Sequence, residues 1–290
     1  MRGAYTPFRK TADRNAFGLP RNYLGNRFVY TVISQRAGGL SIGVNLNPTG
    51  YCNFDCVYCE VARTKAKSEQ PVNLRAMSAE LSRLLELVRN NKLQELPWFG
   101  KMPHDVLQLK EVALSGDGEP TLCPNFEEVM EAVLHIRRRQ PMFFKVVVIT
   151  NTTGLPLPHV RHGLRKLALQ DEIWVKLDAG TEEYLTKVNR PDMTLRNVMA
   201  NILELGRERP VVIQSLFPLL DGREPSQGEI RQYVKRLQEL KAGGAQISLV
   251  QVYSAHRPAQ NRSCGHLPLK TLSLIVRCIR EVAGLRAEVF

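Results

Sequence analysis

The sequence predicts an α/β protein whose strands form a parallel sheet covered by helices. Three observations support this fold class. Short apolar runs rich in β-branched residues recur along the chain, an amphipathic helical stretch follows each of them, and the runs are apolar on both faces. Six strand–helix units can form either an open doubly wound sheet or a partial barrel, and their spacing does not distinguish the two.

Strands are predicted where β-branched residues alternate or run together between turn residues. The stretch 27–34 alternates and precedes Gly38 and Gly39, which indicates a separate short strand or hairpin arm. The strands of the six repeating units are predicted at 40–46, 111–115, 145–150, 172–178, 211–217 and 246–253. The first of these delivers the most distinctive loop of the chain.

Helices are predicted where apolar residues recur three and four positions apart and a start signal precedes them. Pro124 suits a first helical position, and Thr181 and Thr194 are predicted N-caps of two short helices. Ser226 and Glu229 form a capping box that predicts the start of another helix. The remaining helices are predicted to begin near Ser78 and to span 124–138, 158–169 and 268–282.

The composition is that of an ordinary globular chain of 290 residues, with 43% hydrophobic and 23% charged residues. No apolar run approaches the roughly 20 residues of a membrane helix, and the N-terminus has no apolar segment of a secretory signal. Six cysteines, half of them clustered, fit a reducing compartment better than a disulfide framework. We therefore expect a cytoplasmic protein without a membrane partner.

The chain is strongly basic, with a formal net charge of +12 at pH 7. Residues 1–36 hold seven basic residues against one acid, which is half of the excess, and 137–139 is an arginine triplet. A basic surface attracts polyanions such as tRNA without specifying them. A solvated positive face explains the same charge, and no RNA-binding motif accompanies it.

Three cysteines stand close together in the stretch 50–60, GYCNFDCVYCE. Cys52, Cys56 and Cys59 have the spacing Cys-x3-Cys-x2-Cys, which lets three thiolates grip one soft metal centre from a single loop. An iron–sulfur cluster normally has four cysteine ligands, so three leave one iron open to a small molecule. A Cys-x2-Cys pair also occurs in zinc sites, but residues 40–80 contain no further Cys and no His as a fourth ligand.

This stretch resembles the signature of the radical S-adenosylmethionine (radical SAM) enzymes. The resemblance implies that Cys52, Cys56 and Cys59 hold a 4Fe–4S cluster and that SAM chelates the open iron. It also implies a (βα)6 partial TIM barrel with a short N-terminal extension and a C-terminal helix. In that family an aromatic residue at the position of Tyr58 lies near the adenine of SAM.

A second motif, Gly116-Asp117-Gly118-Glu119-Pro120, follows the second of the six strands. Ligands of parallel α/β sheets bind beyond the carboxyl ends of the strands, where glycine lets the backbone come close. The motif is similar to the Gly-Gly-Glu motif of the radical SAM family, which receives the amino group of SAM. Gly118 and Glu119 match that motif, whereas Asp117 stands where its first glycine is usual. A tight β–α turn would also explain the two glycines.

Polar residues at other strand ends complete the predicted cofactor pocket. Asn151 follows the third strand, and Lys176 and Asp178 alternate toward one face at the end of the fourth. One division of roles gives the SAM carboxylate to Lys176 and the ribose hydroxyls to Asp178, although a structural Lys–Asp pair is the alternative. Gln214 interrupts an apolar strand and is predicted to face the barrel interior.

Two further arginines are candidates for the substrate pocket. Arg190 and Arg257 each precede a proline near a predicted strand end, where an arginine can clamp a carboxylate or phosphate or can simply brace a loop. The remaining cysteines, Cys123, Cys264 and Cys278, are scattered. We interpret them as core or surface thiols, with a second cluster as the alternative.

The resemblance covers roughly residues 28–258. The segments SGDGEPTL, ITNTTG, KLDAGTEE and VNRP are similar to radical SAM iron–sulfur oxidoreductases related to the tRNA-modifying wybutosine-synthesis enzyme. That enzyme binds a second cluster through N-terminal cysteines, and this chain has no Cys before Cys52. The predicted division is a basic N-terminal extension (1–39), a radical SAM core (40–258) and a C-terminal helical segment (259–290).

Three hypotheses for the function follow from the resemblance. The first is an enzyme that cleaves SAM to a 5′-deoxyadenosyl radical, which takes hydrogen from a tRNA nucleobase; the second is the same chemistry on a small molecule or peptide. The third is a non-enzymatic iron–sulfur sensor. The enzymatic hypotheses imply an electron donor of the flavodoxin or ferredoxin type. The substrate, the fate of SAM and the oligomeric state do not follow from the sequence.

Overall fold

The computed structural model describes residues 23–61, 70–96, 99–255 and 259–290. Its strands, in chain order, are β1 (Val29–Ser34), β2 (Gly39–Val44), β3 (Leu109–Leu114), β4 (Lys145–Thr150), β5 (Glu172–Lys176), β6 (Val211–Leu216), β7 (Leu219–Leu220), β8 (Ile247–Tyr253), β9 (Cys264–Gly265) and β10 (Ala287–Val289). Its α-helices are α1 (Leu74–Arg89), α2 (Phe126–Arg138), α3 (Pro158–Arg165), α4 (Glu182–Val188), α5 (Leu195–Glu208), α6 (Gln227–Ala242) and α7 (Leu269–Cys278).

The main sheet has eight strands in the order β1-β2-β3-β4-β5-β6-β8-β10. The six strands β2, β3, β4, β5, β6 and β8 run parallel, and helices connect them. This curled sheet is the predicted partial barrel. The predicted hairpin arm is confirmed as β1, which pairs antiparallel with β2 from Val29↔Val44 to Ser34↔Gly39.

Alternating residues of the strands face two different environments. The outward residues Val112, Val146 and Val175 join one large apolar core with the helices. On the inner face, a small separate cluster consists of Ala113, Val147, Trp174 and Val212. Polar residues replace this cluster toward the carboxyl ends of the strands, and the functional residues lie there.

Two helices begin at other positions than the sequence predicts. Helix α1 begins at Leu74, not near Ser78, because Asn73 caps it by accepting a hydrogen bond from the Ala76 N–H at 3.0 Å. Helix α2 begins at Phe126, so Pro124 lies in the turn before it.

The predicted N-caps are confirmed, but one capping box is incomplete. The side chains of Thr181 and Thr194 cap α4 and α5, and α5 is a full helix of 14 residues rather than a short one. Ser226 caps α6 by accepting from the Glu229 N–H. The Glu229 carboxylate does not return to Ser226; it accepts from Gly180 N and Thr181 Oγ1. The beginning of α6 is therefore tied to the loop after β5.

The C-terminal segment is not wholly helical, which corrects the sequence prediction. Helix α7 continues into a π-helical turn at Ile279–Ala283, and the chain then forms β10, which pairs parallel with β8. The described part of the N-terminal extension and the C-terminal segment thus both contribute strands to the barrel sheet. Within the described residues, no helix has the length and apolarity needed to cross a membrane.

Candidate functional site

The three clustered cysteines lie on the loop that follows β2, at the carboxyl end of the sheet. We call residues 51–61 the cysteine loop. Cys52, Cys56 and Cys59 are partly buried and form no disulfide, and the Cys59 N–H donates to the Cys56 carbonyl at 3.0 Å. Within the described residues, no three His, Cys, Asp or Glu side chains converge as they would around one metal ion. The thiols are instead distributed along the loop.

The cysteine loop is hydrogen-bonded along its backbone to the chain that follows α4. The Val57 N–H donates to the Val188 carbonyl at 2.8 Å, and the Asp55 N–H donates to the Asn189 carbonyl at 3.1 Å. Phe54 forms an isolated antiparallel bridge with Pro191. The middle of the loop is therefore held by a segment more than a hundred residues away in the sequence.

Asn189 connects one of the three thiols to the polar residues of the barrel. Its Nδ2 lies 3.4 Å from Cys56 Sγ, 3.0 Å from the Tyr58 hydroxyl and 2.7 Å from Asp178 Oδ2. The residue is 1% exposed. Sequence reasoning missed it: Asn189 stands in the recognised segment VNRP, but only the neighbouring arginine was singled out, and no local pattern reports a contact with Cys56.

Tyr58, Lys176 and Asp178 form one buried group with Asn189. The Tyr58 hydroxyl donates to Asp178 Oδ2, while Asp178 Oδ1 accepts from Leu216 N at 2.8 Å and lies 3.4 Å from Lys176 Nζ. The Lys176 ammonium lies 5.0 Å from the centre of the Tyr58 ring. Both oxygens of Asp178 are thus occupied by groups of this chain. The carboxylate orients Tyr58 and Lys176, and the ribose role of Asp178 stays a prediction.

The electrostatics of this group follow from its burial. Burial, reinforced by the nearby Asp178 charge, raises the pKa of the Cys56 thiol to about 11. The same two causes raise the pKa of Tyr58. For Lys176, burial opposes the charged form, but the combined effects of Asp178, Tyr253 and Cys56 outweigh burial and raise the pKa above its ordinary value. Metal binding requires the thiolate, so a metal bound at Cys56 would displace a proton.

The glycine motif after β3 packs directly against the beginning of the cysteine loop. A Cβ atom on Gly118 would lie 1.7 Å from the Tyr51 carbonyl oxygen, and one on Gly116 would lie 2.0 Å from Asn45 Oδ1. Asp117, the departure from the family motif, causes no such conflict: its N–H donates to Asn45 Oδ1 at 3.1 Å and its Oδ2 accepts from Asn45 Nδ2 at 2.9 Å. Both glycines are thus required by close packing.

Glu119 is buried and its carboxylate is filled by donors from this chain. Oε1 accepts from the N–H and hydroxyl of Thr121 and from the Thr150 hydroxyl, and Oε2 accepts from the Asn151 N–H at 2.6 Å. Burial nevertheless raises its pKa. In this structure Glu119 joins the ends of β3 and β4, and Asn151 extends the connection by donating to Asn53 Oδ1 at 3.0 Å.

The remaining predicted residues are placed as follows. Gln214 lies inside the barrel beside Gln251, a residue that sequence reasoning missed, and their side chains are 3.5 Å apart. Arg190 pairs with Asp55 at 3.3 Å, so it braces the exposed side of the cysteine loop. Arg257 lies outside the described residues. Cys123 lies in the main apolar core, and Cys278 packs against the edge of that core. Cys264 packs against a separate small cluster that contains Val57.

The three thiols do not converge on one point, but the chemistry of the donor set fits the predicted cluster. Three thiols on one anchored loop are the soft ligands that an iron–sulfur cluster requires. Two buried amide oxygens beside the loop, Asn47 Oδ1 and Asn189 Oδ1, have no hydrogen-bond partner among the described residues. Buried polar atoms are normally paired, so a bound group with N–H or O–H donors would complete this environment.

Comparison with protein families identifies the relatives of this chain. The sequence profile described as "Radical SAM superfamily" matches residues 46–234. A UPF0026 protein of Synechocystis sp. is 30% identical over 164 residues, which are 56% of this chain and 52% of that protein. The chain thus matches about half the length of this curated relative.

Two solved structures share the fold. SuiB of Streptococcus suis, in a crystal structure with S-adenosylmethionine bound, has a TM-score of 0.58 at 15% identity; the match covers 88% of this chain and 52% of that one. TYW1, in a structure with a lysine–pyruvate adduct bound, has a TM-score of 0.54 at 15% identity; the match covers 85% of this chain and 74% of that one. At this level of identity the likeness concerns the fold alone.

Proposed function

This chain belongs to the radical SAM superfamily, and from that premise we propose that it is an enzyme that cleaves S-adenosylmethionine reductively at a 4Fe–4S cluster. The observation that carries the proposal is the anchored cysteine loop. Cys52, Cys56 and Cys59 would ligate the cluster from the carboxyl end of the sheet, and all three lie within residues 46–234, which the family profile matches. One iron would remain open for SAM.

When bound, the cluster and SAM would supply radical chemistry for the removal of a hydrogen atom from a substrate, and the protein would supply position and shielding. Asn189 and Asp178 hold Cys56 and Tyr58 in place beside the cluster. Lys176 adds a positive charge that suits the carboxylate of SAM. Gly118, Asn151 and Gln214 would contribute to the proposed cofactor pocket, while Glu119 fixes the backbone at the ends of β3 and β4. A flavodoxin- or ferredoxin-type protein would provide the electron.

The deciding experiment is anaerobic turnover of SAM. Protein reconstituted with iron and sulfide is reduced with dithionite, SAM is added, and 5′-deoxyadenosine is quantified, with Cys56→Ala as the control. We expect product from the wild type and none from the variant. A wild-type protein whose cluster is intact but neither binds nor cleaves SAM would contradict the proposal and would favour the iron–sulfur sensor.

A tRNA nucleobase is one candidate for the substrate, and the net charge of +12 favours it. In the described residues, however, Arg137 of the arginine triplet pairs with the buried Asp171, immediately before β5. The triplet therefore lies at the amino end of the barrel, opposite the cysteine loop. If tRNA is the substrate, binding should weaken steeply with salt and depend on residues 1–28. Salt-independent binding, or unchanged binding after removal of 1–28, would count against tRNA.

A further inference from the structure

Arg36 reaches the barrel interior from the turn between β1 and β2. Its guanidinium carbon lies 4.6 Å from the centre of the Tyr253 ring and 5.7 Å from that of the Trp174 ring. Trp174 belongs to the inner cluster of the barrel, and Tyr253 ends β8. Two aromatic rings on different strands thus hold one cation in place, because the guanidinium is attracted to their faces.

Arg36 has no hydrogen-bond or ion-pair partner among the described residues. Its Nη1 is shut off from bulk solvent without an acceptor. The Glu111 carboxylate, on the inner face of β3, accepts from the Ser41 hydroxyl at 2.9 Å and lies 3.9 Å from Lys145 Nζ. The charge of Arg36 also acts on Glu111, but the two side chains form no hydrogen bond, and Glu111 Oε2 has no hydrogen-bond partner among the described residues. An arginine that only stabilises a fold normally uses its planar set of donors on carbonyls or carboxylates. Arg36 instead contacts the two aromatic rings through the flat face of its guanidinium group.

One cavity of about 780 Å³ is lined both by this arginine and by residues of the cysteine loop. Its wall includes Tyr58 and Cys59 as well as Arg36, Trp174 and Tyr253. The volume is that of a pocket for a small organic molecule. A substrate in this cavity would therefore contact aromatic rings and a cation held between them.

We propose that Arg36 binds an oxyanion of the substrate, a carboxylate or a phosphate, inside the barrel. This inference rests on the proposed function and deepens it: the substrate is a small molecule with an anionic group and an apolar or planar body, rather than a tRNA nucleobase. Arg36 supplies two parallel N–H donors for the oxyanion, while Trp174 and Tyr253 contact the body. Its donors are fixed in advance, so little side-chain entropy is lost on binding.

The test measures anion binding and SAM cleavage in the same preparations. Reconstituted full-length protein with SAM is titrated by calorimetry with benzoate, phenyl phosphate and uncharged benzamide at constant ionic strength. We expect saturable binding of at least one anion and none of benzamide. Arg36→Gln should weaken that binding by about tenfold or more, the loss of a charge-assisted hydrogen bond. The relative affinities of benzoate and phenyl phosphate distinguish a carboxylate from a phosphate.

Two variants separate this role from a structural one. Arg36→Lys keeps the charge without the planar donors and should bind the anion with intermediate affinity. Arg89→Gln removes one positive charge from the outer face of α1, where the side chain is 45% exposed, and should bind the anion like the wild type. If Arg36→Gln is unfolded, Arg36→Lys decides: wild-type affinity in that variant would overturn the assignment.

The outcomes for Arg36 and for the proposed function are distinct. Wild-type protein that produces 5′-deoxyadenosine but binds neither anion, or Arg36→Gln that binds the anion as tightly as the wild type, would overturn the assignment of Arg36 alone. Binding of the anion by a protein that cannot cleave SAM would overturn the radical SAM activity alone. Wild-type protein that binds the anion and forms 5′-deoxyadenosine, together with loss of anion affinity in Arg36→Gln, is the result that supports both.

Discussion

Gly118 is the residue whose replacement the structure constrains most directly. A Cβ there would lie 1.7 Å from the Tyr51 carbonyl oxygen, and backbone cannot move aside as a flexible side chain can. Gly118→Ala should lower the free energy of unfolding by about 2 kcal/mol, because the glycine motif or the cysteine loop must shift. Denaturant titration of the full chain measures this.

Gly228, the second residue of α6, is the matched control for Gly118. The nearest atom to a Cβ at Gly228 is Ser226 Oγ at 3.6 Å, an ordinary contact. Gly228→Ala should leave stability unchanged or raise it by up to about 1 kcal/mol, because alanine favours helix more than glycine does. Equal destabilisation by both substitutions would show that close packing at Gly118 is not the cause.

Asn189 provides a second prediction at the scale of single residues. Asn189→Ala removes the amide donor near Cys56 Sγ, Tyr58 and Asp178, which leaves a buried carboxylate short of one hydrogen bond. We expect a loss of about 2 kcal/mol in unfolding free energy. We also expect less iron retained per chain after reconstitution and desalting, because Cys56 is no longer held.

The control for Asn189 is Asn201, a partly buried asparagine whose amide donates to the Thr152 carbonyl at 3.0 Å rather than approaching a cysteine. Asn201→Ala should cost about 1 kcal/mol and leave the iron content unchanged. If Asn189→Ala retained iron as the wild type does, Asn189 would be a stabilising residue without influence on the thiols.

Single residues also show which parts of the site can be predicted from the sequence alone. The three thiols, the glycine motif and the polar residues after the strands could be selected because spacing and strand ends are local signals. Asn189 could not, because its role arises only when the end of α4 meets the cysteine loop. Arg36 was counted only as part of the basic N-terminus, since nothing in its neighbourhood indicates that it enters the barrel between Trp174 and Tyr253.

At the scale of elements, β10 stabilises β8, the last of the six parallel strands of the barrel. It covers β8 through pairs such as Ala287↔Val250, and Phe290 N donates to the Val252 carbonyl at 3.0 Å. Deletion of residues 287–290 should destabilise the protein and cause concentration-dependent self-association, because the edge of β8 becomes available to other chains. Light scattering after size-exclusion chromatography and denaturant titration measure the two effects.

Arg286→Gln is the matched control for the deletion of β10. It removes only an ion pair with Glu288 at 2.7 Å, in which the arginine side chain is 72% exposed. Such surface pairs contribute little, so self-association and stability should match the wild type. A truncated protein that stays monomeric at all concentrations, with unchanged stability, would show that β10 is dispensable.

Elements were predictable where the pattern is local. The six parallel strands follow from continuous apolar runs, and the N-caps Thr181 and Thr194 follow from residue type. Helix α1 begins earlier than predicted because the cap at Asn73 precedes the apolar face that was used to find it. Strand β10 was missed because three residues at a chain end carry no periodicity, and only pairing with β8 makes them a strand.

At the scale of the whole molecule, buried carboxylates make stability depend on pH. Burial raises the pKa of Glu111 above its ordinary value, so this residue contributes stability that is present at low pH and is lost as pH rises through its folded-state pKa. Glu111→Gln removes the ionisable group and therefore this loss of stability with rising pH. The stability of the variant relative to wild type should therefore increase as pH rises from about 4 to about 7.

Denaturant titrations of wild type and Glu111→Gln across this range measure the difference. Glu131→Gln, at a position whose side chain is 56% exposed, is the control and should follow the wild-type pH dependence. A difference between wild type and Glu111→Gln that is constant with pH would mean that burial does not perturb Glu111 in solution.

The partners of the cysteine loop also fix an order of events during synthesis of the chain. Cys56 is 133 residues before Asn189, and Glu60 is 200 residues before Gln260, whose side chain donates to its carbonyl. The thiols therefore leave the ribosome long before the segments that hold them exist. The shaped site for a cluster is complete only after Gln260 has been translated. Until then the nascent chain exposes three unprotected cysteines, which makes protection from oxygen most important during translation.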